Sequence, residues 1–299
     1  MIKTYLWERF GKISQVFKIL KLGIIVDIGR KIIKTISSDS LTVKIDNILI
    51  TGSIDQRSYL FQLRDCNIDS YTKKVFADLI KPNMVVLDIG ACLGIYSIIA
   101  ASKLDGHGRV YSFEPDYRNY EHLLTNINQN NLSNVIIPVE KALSDKQETI
   151  SFNLGTGMRT GSSRYAKYRS GNDGSRKVEA IKLDDFIDKD ICADVIKMDV
   201  EGSEIDALDG MKELIKRSLD KLIMIIECNP KTLYYAGALT KNLIDTLRSL
   251  ELEVMVIDEK SKILSPVTDR TYKDFYPDNE NHYFIENLFC YKKGRDIKI

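Results

Sequence analysis

Residues 85–94 read VVLDIGACLG, and this stretch decides the fold. Its apolar run predicts a buried strand over residues 84–89, because strands of a covered parallel sheet are apolar on both faces. Gly90 and Gly94 then bracket a tight turn into a helix over residues 96–103, since glycine adopts turn conformations and has no Cβ to obstruct a ligand. Ligands of open parallel sheets bind beyond the carboxyl ends of the strands, so this turn is the predicted ligand-binding loop.

The alternation of apolar strands and helices continues to the end of the chain. Continuous apolar strands separated by helices predict an α/β fold with a mostly parallel sheet and helices on both faces. Seven strands are predicted, over residues 84–89, 109–114, 135–139, 194–199, 222–227, 254–257 and 283–291. Further helices are predicted over residues 117–130, 204–218 and 239–250, and a mobile loop over residues 155–177, which are rich in Gly, Ser and Arg.

Residues 1–70 lack this alternation and are predicted to be an N-terminal extension of a main domain over residues 71–299. Apolar residues at helical spacing, with lysines and arginines between them, predict a basic amphipathic helix over residues 11–36. Such a helix either packs its apolar stripe on the domain, which we favour, or lies on an anionic membrane surface as a peripheral contact. Alternation over residues 41–50 predicts a β-hairpin.

The composition argues against several classes of protein. The 299 residues carry a formal net charge of +1, so the protein as a whole has no strong positive electrostatic potential to attract nucleic acid. No nucleic-acid partner is therefore expected. The five cysteines stand far apart, which predicts free thiols in a reducing compartment rather than disulfides or a zinc cluster. No apolar run reaches the roughly 18 residues that span a bilayer, and the N-terminus does not resemble a signal peptide. A soluble, cytoplasmic protein is therefore expected.

The ligand-binding loop departs from the dinucleotide pattern GxGxxG. Cys92 stands where the middle glycine belongs, which weakens the interpretation as a pyrophosphate site at a helix N-terminus. Asp88, at the end of the strand, suits a ligand whose amino-acid end carries an ammonium group, as S-adenosylmethionine does. An ordinary strand-to-helix turn without a ligand is the remaining alternative.

Two further strand ends extend the predicted site. The second strand ends SFEP, and the carboxylate of Glu114 there offers two acceptor oxygens to the hydroxyls of a ribose. NAD and S-adenosylmethionine share this contact, so Glu114 indicates a nucleoside without choosing between them. The third strand runs into VEKALSD, where Glu140 and Ala142 are the candidates for the adenine site.

These motifs, in this order and spacing, resemble those of the FkbM-like methyltransferases. The matching stretches lie within residues 70–293 and are DIGACLGIYSIIAA, GRVYSFEPD, EKALSD, IKLDDF, DVIKMDVEGSEIDALDG and LIMIIECNP. The resemblance implies a class I methyltransferase fold, which is Rossmann-like, and S-adenosylmethionine as methyl donor. It further implies O-methylation of a hydroxyl on a sugar, glycan or natural product. The family usually carries Asn where this chain has Cys92, and the exchange removes an amide that can bond the ligand.

The loop, the strand ends and this resemblance together define the predicted cofactor site. Its residues are Asp88, Gly90, Ala91, Cys92, Gly94, Glu114, Pro115, Glu140, Ala142 and Asp199. Two alternatives to a methyltransferase stay open. One is an NAD-dependent sugar-nucleotide oxidoreductase, for which the third glycine and a Tyr-x-x-x-Lys pair are missing here, and the other is a noncatalytic nucleoside-binding domain.

Candidate catalytic residues converge at the ends of the fourth and fifth strands. An alcohol must lose its proton before or during methyl transfer, which requires a base within hydrogen-bonding reach. Glu227, at the end of LIMIIE, is the predicted general base, and Asp199 is predicted to meet the donor or the acceptor. Glu201 is either catalytic or a helix cap. Lys197 is predicted to form an ion pair with Asp199 or Glu201, because buried lysines generally need such a partner.

Two accessory features concern the acceptor, which is expected to be a small molecule or a glycan. Asp199, Glu227 and Asn229 are all oxygen ligands, and a Mg²⁺ ion at these positions is an alternative to the metal-free site that we favour. The mobile loop predicted over residues 155–177 acts either as a lid over an anionic or glycan acceptor or as a plain connector, which we favour. Its basic and aromatic residues are Arg159, Arg164, Tyr165, Lys167, Tyr168 and Arg169.

Overall fold

The computed structural model of the chain describes residues 40–155, 162–165, 172–274 and 284–297. The basic helix predicted over residues 11–36 lies outside these residues. Thirteen strands occur in the described part of the chain. They are β1 (Ser40–Ile45), β2 (Ile48–Ser53), β3 (Met84–Ile89), β4 (Gly108–Phe113), β5 (Ile136–Val139), β6 (Ala142–Leu143), β7 (Glu148–Gly155), β8 (Asn172–Ile181), β9 (Val195–Met198), β10 (Ile223–Cys228), β11 (Leu252–Asp258), β12 (Ile263–Pro266) and β13 (Glu286–Lys292).

Nine α-helices accompany these strands in the described residues. They are α1 (Arg57–Arg64), α2 (Ser70–Leu79), α3 (Ile95–Leu104), α4 (Tyr117–Gln129), α5 (Leu183–Phe186), α6 (Glu204–Asp209), α7 (Lys212–Ser218), α8 (Pro230–Tyr235) and α9 (Thr240–Ser249). A short 3-10 helix, Ile54–Gln56, precedes α1. None of the helices in the described ranges combines the length and the apolar character needed to cross a bilayer.

The central sheet has the strand order β12-β11-β13-β10-β9-β3-β4-β5. Neighbours from β10 to β5 are parallel, whereas β13 runs antiparallel to both β10 and β11. This arrangement confirms the predicted α/β class with a mostly parallel sheet. The sheet has eight strands rather than the predicted seven, because β12 pairs antiparallel with β11 at the edge. β12 is short and lacks buried residues, so its sequence carries no apolar run that would have revealed it.

Two hydrophobic cores cover the two faces of the central sheet. Along β3, successive side chains alternate between them, with Val86 in one core and Leu87 in the other. Helices α6, α7 and α9 pack into the core that contains Leu87, and α2, α3 and α4 into the core that contains Val86. The predicted covering of both faces by helices is therefore confirmed.

The N-terminal hairpin β1–β2, predicted from alternation, is confirmed and packs into the same core as Val86. Asn126 of α4 binds its backbone, because Thr51 N donates to Asn126 Oδ1 at 2.7 Å and Asn126 Nδ2 donates to Thr51 O at 2.9 Å. The hairpin is thus bound to α4. The domain boundary at residue 70 stays a prediction.

The single helix predicted over residues 204–218 is wrong, since the chain forms two short helices, α6 and α7, with Gly210 and Met211 between them. A Cβ at Gly210 would lie 2.0 Å from the carbonyl oxygen of Ser144. The Gly210 carbonyl also accepts a hydrogen bond from Asp184 N at 2.9 Å instead of continuing the helix. Contacts with distant segments therefore override the local helical pattern.

The loop predicted over residues 155–177 is partly wrong, because β8 begins at Asn172. β8 pairs antiparallel with β7 and parallel with β6 in a separate three-stranded sheet. Its first residues, NDGSRK, are polar and contain a glycine, so they resemble a loop when only composition is considered. The small sheet matters for function because β7 contributes side chains to the cleft described below.

Candidate active site

A cleft of about 250 Å³ lies at the carboxyl ends of β3, β4, β9 and β10. The strand order reverses there, because β3 is flanked by β4 on one side and by β9 on the other, and such points are where α/β sheets bind ligands. We call the part of the cleft formed by Gly90, Cys92, Glu114 and Ala142 the loop end. We call the part formed by Asp69, Asp199, Glu201 and Glu227 the acidic end.

The two glycines of the loop are required by packing within the protein. Gly90 has a φ of +82°, and a Cβ there would lie 1.9 Å from the carbonyl oxygen of Asp199. Gly94 also has a φ of +82°, and its Cβ would lie 2.4 Å from a methyl carbon of Leu123 in α4. The sequence predicted that Gly90 admits a bound ligand. The structure shows that the missing side chain of Gly90 makes room for the backbone carbonyl of Asp199, which follows β9.

Asp88 lies beneath the loop and does not line the cleft, although it was predicted to face the ligand. Its carboxylate accepts hydrogen bonds from Ser97 N at 2.8 Å and Ser97 Oγ at 2.5 Å, which ties β3 to the first turn of α3. Burial raises the pKa of Asp88 to about 6, and the bonds from Ser97 and the charge of Lys197 oppose the rise. Asp88 therefore stabilises the loop through its hydrogen bonds with Ser97 and does not line the cleft.

Glu114 lines the loop end, as predicted, with both carboxylate oxygens held by backbone amides. Cys92 N donates to Oε2 at 2.7 Å, and Asp116 N donates to Oε1 at 2.8 Å. Burial raises the pKa of Glu114 to about 8, and the charge of Asp116 adds to the rise, whereas the two backbone bonds oppose it. Each oxygen has a second lone pair, so the carboxylate can still accept two hydroxyl hydrogens.

Three neighbouring loop residues were also predicted to touch the cofactor. Cys92 lines the cleft with a φ of +51°, and burial, reinforced by the charge of Glu114, raises the pKa of its thiol well above the usual value. Pro115 lines the cleft as well. Ala91 does not line the cleft, and its backbone N donates to the carbonyl of Phe113 at 2.9 Å. The surroundings of Cys92 thus favour its neutral thiol form.

Of the two candidates for the adenine site, one lines the cleft and the other does not. Ala142 is buried and lines the cleft, whereas Glu140 is exposed, does not line it and lies 3.7 Å from Arg176 across the surface. Apolar side chains that the sequence analysis missed complete this side, among them Ile150 and Phe152 of β7. They were missed because the small sheet that presents them was not predicted.

The acidic end brings together the predicted catalytic residues Asp199, Glu201 and Glu227. Burial raises the pKa of Glu227 well above the usual value, and the charges of Asp199 and Glu201 add to the rise. The charge of Lys197 opposes it. A carboxylate in these surroundings is a stronger base than one in water, because its proton is held more tightly.

Lys197 and Asn229 support the acidic end in different ways. Lys197 is 3% exposed and does not line the cleft; its Nζ donates to the carbonyl of Met198 at 3.2 Å and lies 5.2 Å from the centre of the Tyr96 ring. Its ion pair with Asp199 or Glu201 stays a prediction. Asn229 lines the cleft and caps α8, since its Oδ1 accepts a hydrogen bond from Lys231 N at 3.2 Å.

Glu201 does not cap a helix, which corrects the alternative considered for it. The next helix begins at Glu204, and Glu204 Oε1 accepts a hydrogen bond from Gly202 N at 3.1 Å. Glu201 instead lies in a left-handed turn with a φ of +51°, and its carbonyl accepts a bond from Ser163 Oγ at 2.6 Å. The turn places Glu201 in the lining of the cleft.

Several cleft residues were missed by sequence reasoning. Tyr59, Ile68 and Asp69 enter from the segment before β3, and Ile285 enters from the residue before β13. Their sequence signal is weak, since Asp69 merely precedes a helical segment. No local pattern reveals that these residues meet strand ends that are distant in sequence.

Two residues of the predicted lid are described, and both bind the framework. Arg164 Nη1 lies 3.0 Å from Glu148 Oε1, and Tyr165 Oη donates to Asp206 Oδ2 at 2.9 Å. The other predicted lid residues, Arg159, Lys167, Tyr168 and Arg169, lie outside the described residues, and the lid stays a prediction. Within the ranges that the structure describes, no three His, Cys, Asp or Glu side chains are placed to hold a metal ion.

The geometry of the loop end fits a nucleoside. A buried carboxylate at the end of β4 faces the cleft, and apolar side chains such as Phe113, Leu143 and Phe152 line it close by. Polar groups that fix a nucleoside beside an apolar wall for its base are typical of cofactor sites. The family model described as methyltransferase FkbM domain matches residues 88–253. The chain belongs to the FkbM methyltransferase family.

Relatives and solved structures extend this comparison. The hexuronic acid methyltransferase AglP of Haloferax volcanii is 24% identical over 159 residues, which are 52% of this chain and 62% of that protein, so the chain spans less than two thirds of that relative. A precorrin-6y C5,15-methyltransferase from Geobacter metallireducens has a TM-score of 0.43 at 14% identity, covering 75% of this chain and 88% of its own. An O-methyltransferase dependent on S-adenosylmethionine from Thermotoga maritima has a TM-score of 0.41 at 11% identity, covering 90% and 83%.

Membership of the FkbM family confirms the family predicted from the motifs. It also confirms the class of enzyme, a methyltransferase that uses S-adenosylmethionine as cofactor. The NAD-dependent oxidoreductase and the noncatalytic nucleoside-binding domain, both left open by the sequence, are set aside by this match. The acceptor and the residue roles are a separate question.

Proposed function

We propose that this FkbM protein transfers the methyl group of S-adenosylmethionine to a hydroxyl of a sugar, glycan or natural product. The observation that carries the proposal is the position of Glu227, a carboxyl group at the end of β10 that lines the cleft beside Asp199 and Glu201. A hydroxyl is a poor nucleophile until its proton is removed, and Glu227 is a suitable acceptor for that proton.

The loop end holds the donor in this proposal. Glu114 accepts hydrogen bonds from the ribose hydroxyls, while Ala142 and Phe152 contact the adenine. When bound, S-adenosylmethionine supplies a methyl group already activated on a positive sulfur. Asp199 follows β9 and lies next to Gly90, where the loop end and the acidic end meet. Its carboxylate would stabilise the positive charge of the sulfur there. The protein then contributes mainly alignment, since an in-line transfer depends on the geometry of its two partners.

The acidic end holds the acceptor and takes its proton. Glu227 is the general base, and Glu201 and Asp199 orient the hydroxyl through hydrogen bonds. Lys197 is a positioning residue, because its charge opposes the rise in the pKa of Glu227. Since Glu227 acts in its ionised form, turnover rises with pH, and the raised pKa displaces this rise to a higher pH than that of an ordinary glutamate.

The named relative supports an acceptor of the sugar type. AglP of Haloferax volcanii is a hexuronic acid methyltransferase, and hexuronic acids carry several ring hydroxyls. The similarity covers 52% of this chain, so it supports the acceptor class and leaves its identity to the site itself.

The experiment uses S-adenosylmethionine labelled with ¹³C in its methyl group and a panel of glycosides and natural-product alcohols. We expect an O-methyl resonance in the product and an equal amount of S-adenosylhomocysteine. Glu227→Gln keeps the shape of the side chain but removes the base, and we expect turnover to fall by roughly 100-fold or more. Glu121→Gln, on the exposed surface of α4, makes the same chemical change away from the cleft and should leave turnover unchanged.

Calorimetric titration with S-adenosylmethionine separates the role of Glu227 from a loss of folding. We expect Glu227→Gln to bind the donor as the wild type does. A labelled methyl group on nitrogen would contradict the proposed acceptor, and undiminished turnover in Glu227→Gln would contradict the proposed base.

A further inference from the structure

We propose that the acidic end selects an uncharged, hydroxyl-bearing acceptor and rejects sugar acids and phosphorylated sugars, with Asp69 as a specificity-determining residue. The inference rests on the proposed function and names the substrate class of the same site. It differs from what the hexuronic acid methyltransferase relative would suggest, because it is drawn from side chains that line this cleft.

The ionisable side chains that line the cleft are almost all carboxyl groups. Four carboxyl groups form the acidic end, and Glu114 adds a fifth at the loop end. Among the described lining residues the single basic side chain is Lys141, whose Nζ is paired with the carboxylate of Glu179. Burial raises the pKa of Asp69, and the charges of Lys197 and Lys73, neither of which lines the cleft, oppose the rise. No exposed cation is therefore placed to meet an anionic group of the acceptor within the described lining.

Asp69 is held in the wall by a second buried polar group. Asn287 is 6% exposed and stands opposite Glu227 in the antiparallel pair of β10 and β13. Its Nδ2 donates to Asp69 Oδ1 at 3.4 Å, while its Oδ1 has no hydrogen-bond partner among the described residues. Asn287 does not line the cleft, so it holds Asp69 in the wall from outside the cleft and does not itself meet the acceptor.

Asp69 comes from outside the part of the chain that defines the family. The family match covers residues 88–253, whereas Asp69 lies before it, as do Tyr59 and Ile68, and Ile285 lies after it. These residues line one cleft with Glu227. The segments that flank the matched family domain thus supply part of the proposed acceptor wall.

The mixture of side chains suits a neutral sugar. Tyr59, Ile68 and Ile285 offer apolar surface to the C–H faces of a sugar ring, and the carboxyl groups accept or donate hydrogen bonds to its hydroxyls. An acceptor carboxylate or phosphate would instead be buried beside these carboxyl groups, and Lys141, the basic residue of the described lining, is already paired. Any carboxyl group that is ionised would repel the anion more strongly in this partly desolvated cleft than in water. Placing like charges against the wrong ligand is a common source of specificity.

The test compares matched pairs of acceptors under the same conditions. The pairs are methyl glucoside with methyl glucuronide, methyl galactoside with methyl galacturonide, and each glycoside with its 6-phosphate. We expect kcat/KM for the neutral member to exceed that of its charged partner by about 100-fold, because like charges in contact oppose binding strongly. A preference for the acidic members would overturn the inference and leave the proposed function standing, whereas methylation of neither class would overturn both.

The variant Asp69→Asn removes one ionisable carboxyl group with little change of shape. We expect the ratio of kcat/KM for glucoside over glucuronide to fall by roughly tenfold, through an increase for the acid. Asp220→Asn is the matched control, because Asp220 has a side chain that is 90% exposed and lies outside the cleft lining. It should leave the ratio unchanged. An unchanged ratio in Asp69→Asn, with S-adenosylmethionine binding shown intact by calorimetry, would overturn the role of Asp69.

Discussion

The loop end of the cleft is closed by backbone amides and apolar side chains, whereas the acidic end is walled by four carboxyl groups. The residues of the loop end lie close together in sequence, in strand ends and the turns that follow them. The residues of the acidic end come from β9, β10 and the segment before α2, which are far apart along the chain. If the loop end binds the donor and the acidic end binds the acceptor, as proposed, then donor recognition is a local property of the family fold, and acceptor recognition is assembled by its tertiary structure.

Gly90 is the residue where the two ends touch, so its substitution should have the largest effect. In Gly90→Ala, the new Cβ would overlap the carbonyl oxygen of Asp199 at 1.9 Å, and the φ of +82° adds backbone strain. We expect the free energy of unfolding to fall by roughly 3 kcal/mol or more. Urea denaturation measures this loss, and calorimetry should show that binding of S-adenosylmethionine is lost with it.

Gly237→Ala is the matched control for backbone strain. Gly237 has a φ of +81°, and a Cβ there would meet nothing within 4 Å. We expect a loss of about 1 kcal/mol from the left-handed conformation alone, with donor binding unchanged. Equal losses in the two variants would contradict the close contact between the ends of the cleft.

The fold could be predicted from sequence where apolar runs and glycines carry the information. The strand at residues 84–89 and its turn were located correctly, because burial on both faces leaves a continuous apolar run. The polar start of β8 and the break at Gly210 were not predicted, since both depend on partners distant in sequence. Local signals thus define the central sheet, and distant contacts define the small sheet beside it.

The candidate site divides in the same way. Glu114 and Glu227 follow apolar strands, so their arrival at one edge of the sheet could be expected from the parallel topology. Asp69 could not be predicted, because nothing in its neighbourhood indicates which strand end it approaches. For Asp88, the position at the end of the strand was predicted correctly, but the direction of the side chain was not. Its carboxylate accepts hydrogen bonds from Ser97 instead of facing the cleft.

Glu114 allows a pH test of the loop end, with a smaller expected effect. Its pKa is raised to about 8, and the ionised carboxylate accepts stronger hydrogen bonds and attracts the positive sulfur of the donor. The affinity for S-adenosylmethionine should therefore rise by up to about tenfold between about pH 7 and about pH 9, because the ionised fraction of the carboxyl group rises by that factor. In Glu114→Gln, calorimetry across this range should show weaker binding without that dependence.

Glu140→Gln provides the comparison for Glu114→Gln. Glu140 was also predicted to bind the cofactor, but the structure places it on the surface beside Arg176, outside the cleft lining. We expect this variant to keep both the affinity and the pH dependence of the wild type. A loss of affinity in Glu140→Gln would show that the donor reaches beyond the loop end as defined here.

Cys92 should give the smallest effect, and one of opposite sign. The family usually carries Asn at this position, and Asn tolerates the left-handed conformation that Cys92 adopts with a φ of +51°. An amide at the loop end can add one hydrogen bond to the donor, so Cys92→Asn should tighten binding of S-adenosylmethionine by about threefold to tenfold. Cys66→Asn is the matched control, because Cys66 is exposed, has a φ of +54° and does not line the cleft. Both variants should gain a few tenths of a kcal/mol in the free energy of unfolding, because Asn tolerates the left-handed conformation. Only Cys92→Asn should change the affinity for S-adenosylmethionine measured by calorimetry. Weaker binding in Cys92→Asn would mean that the thiol fits the donor better than the amide.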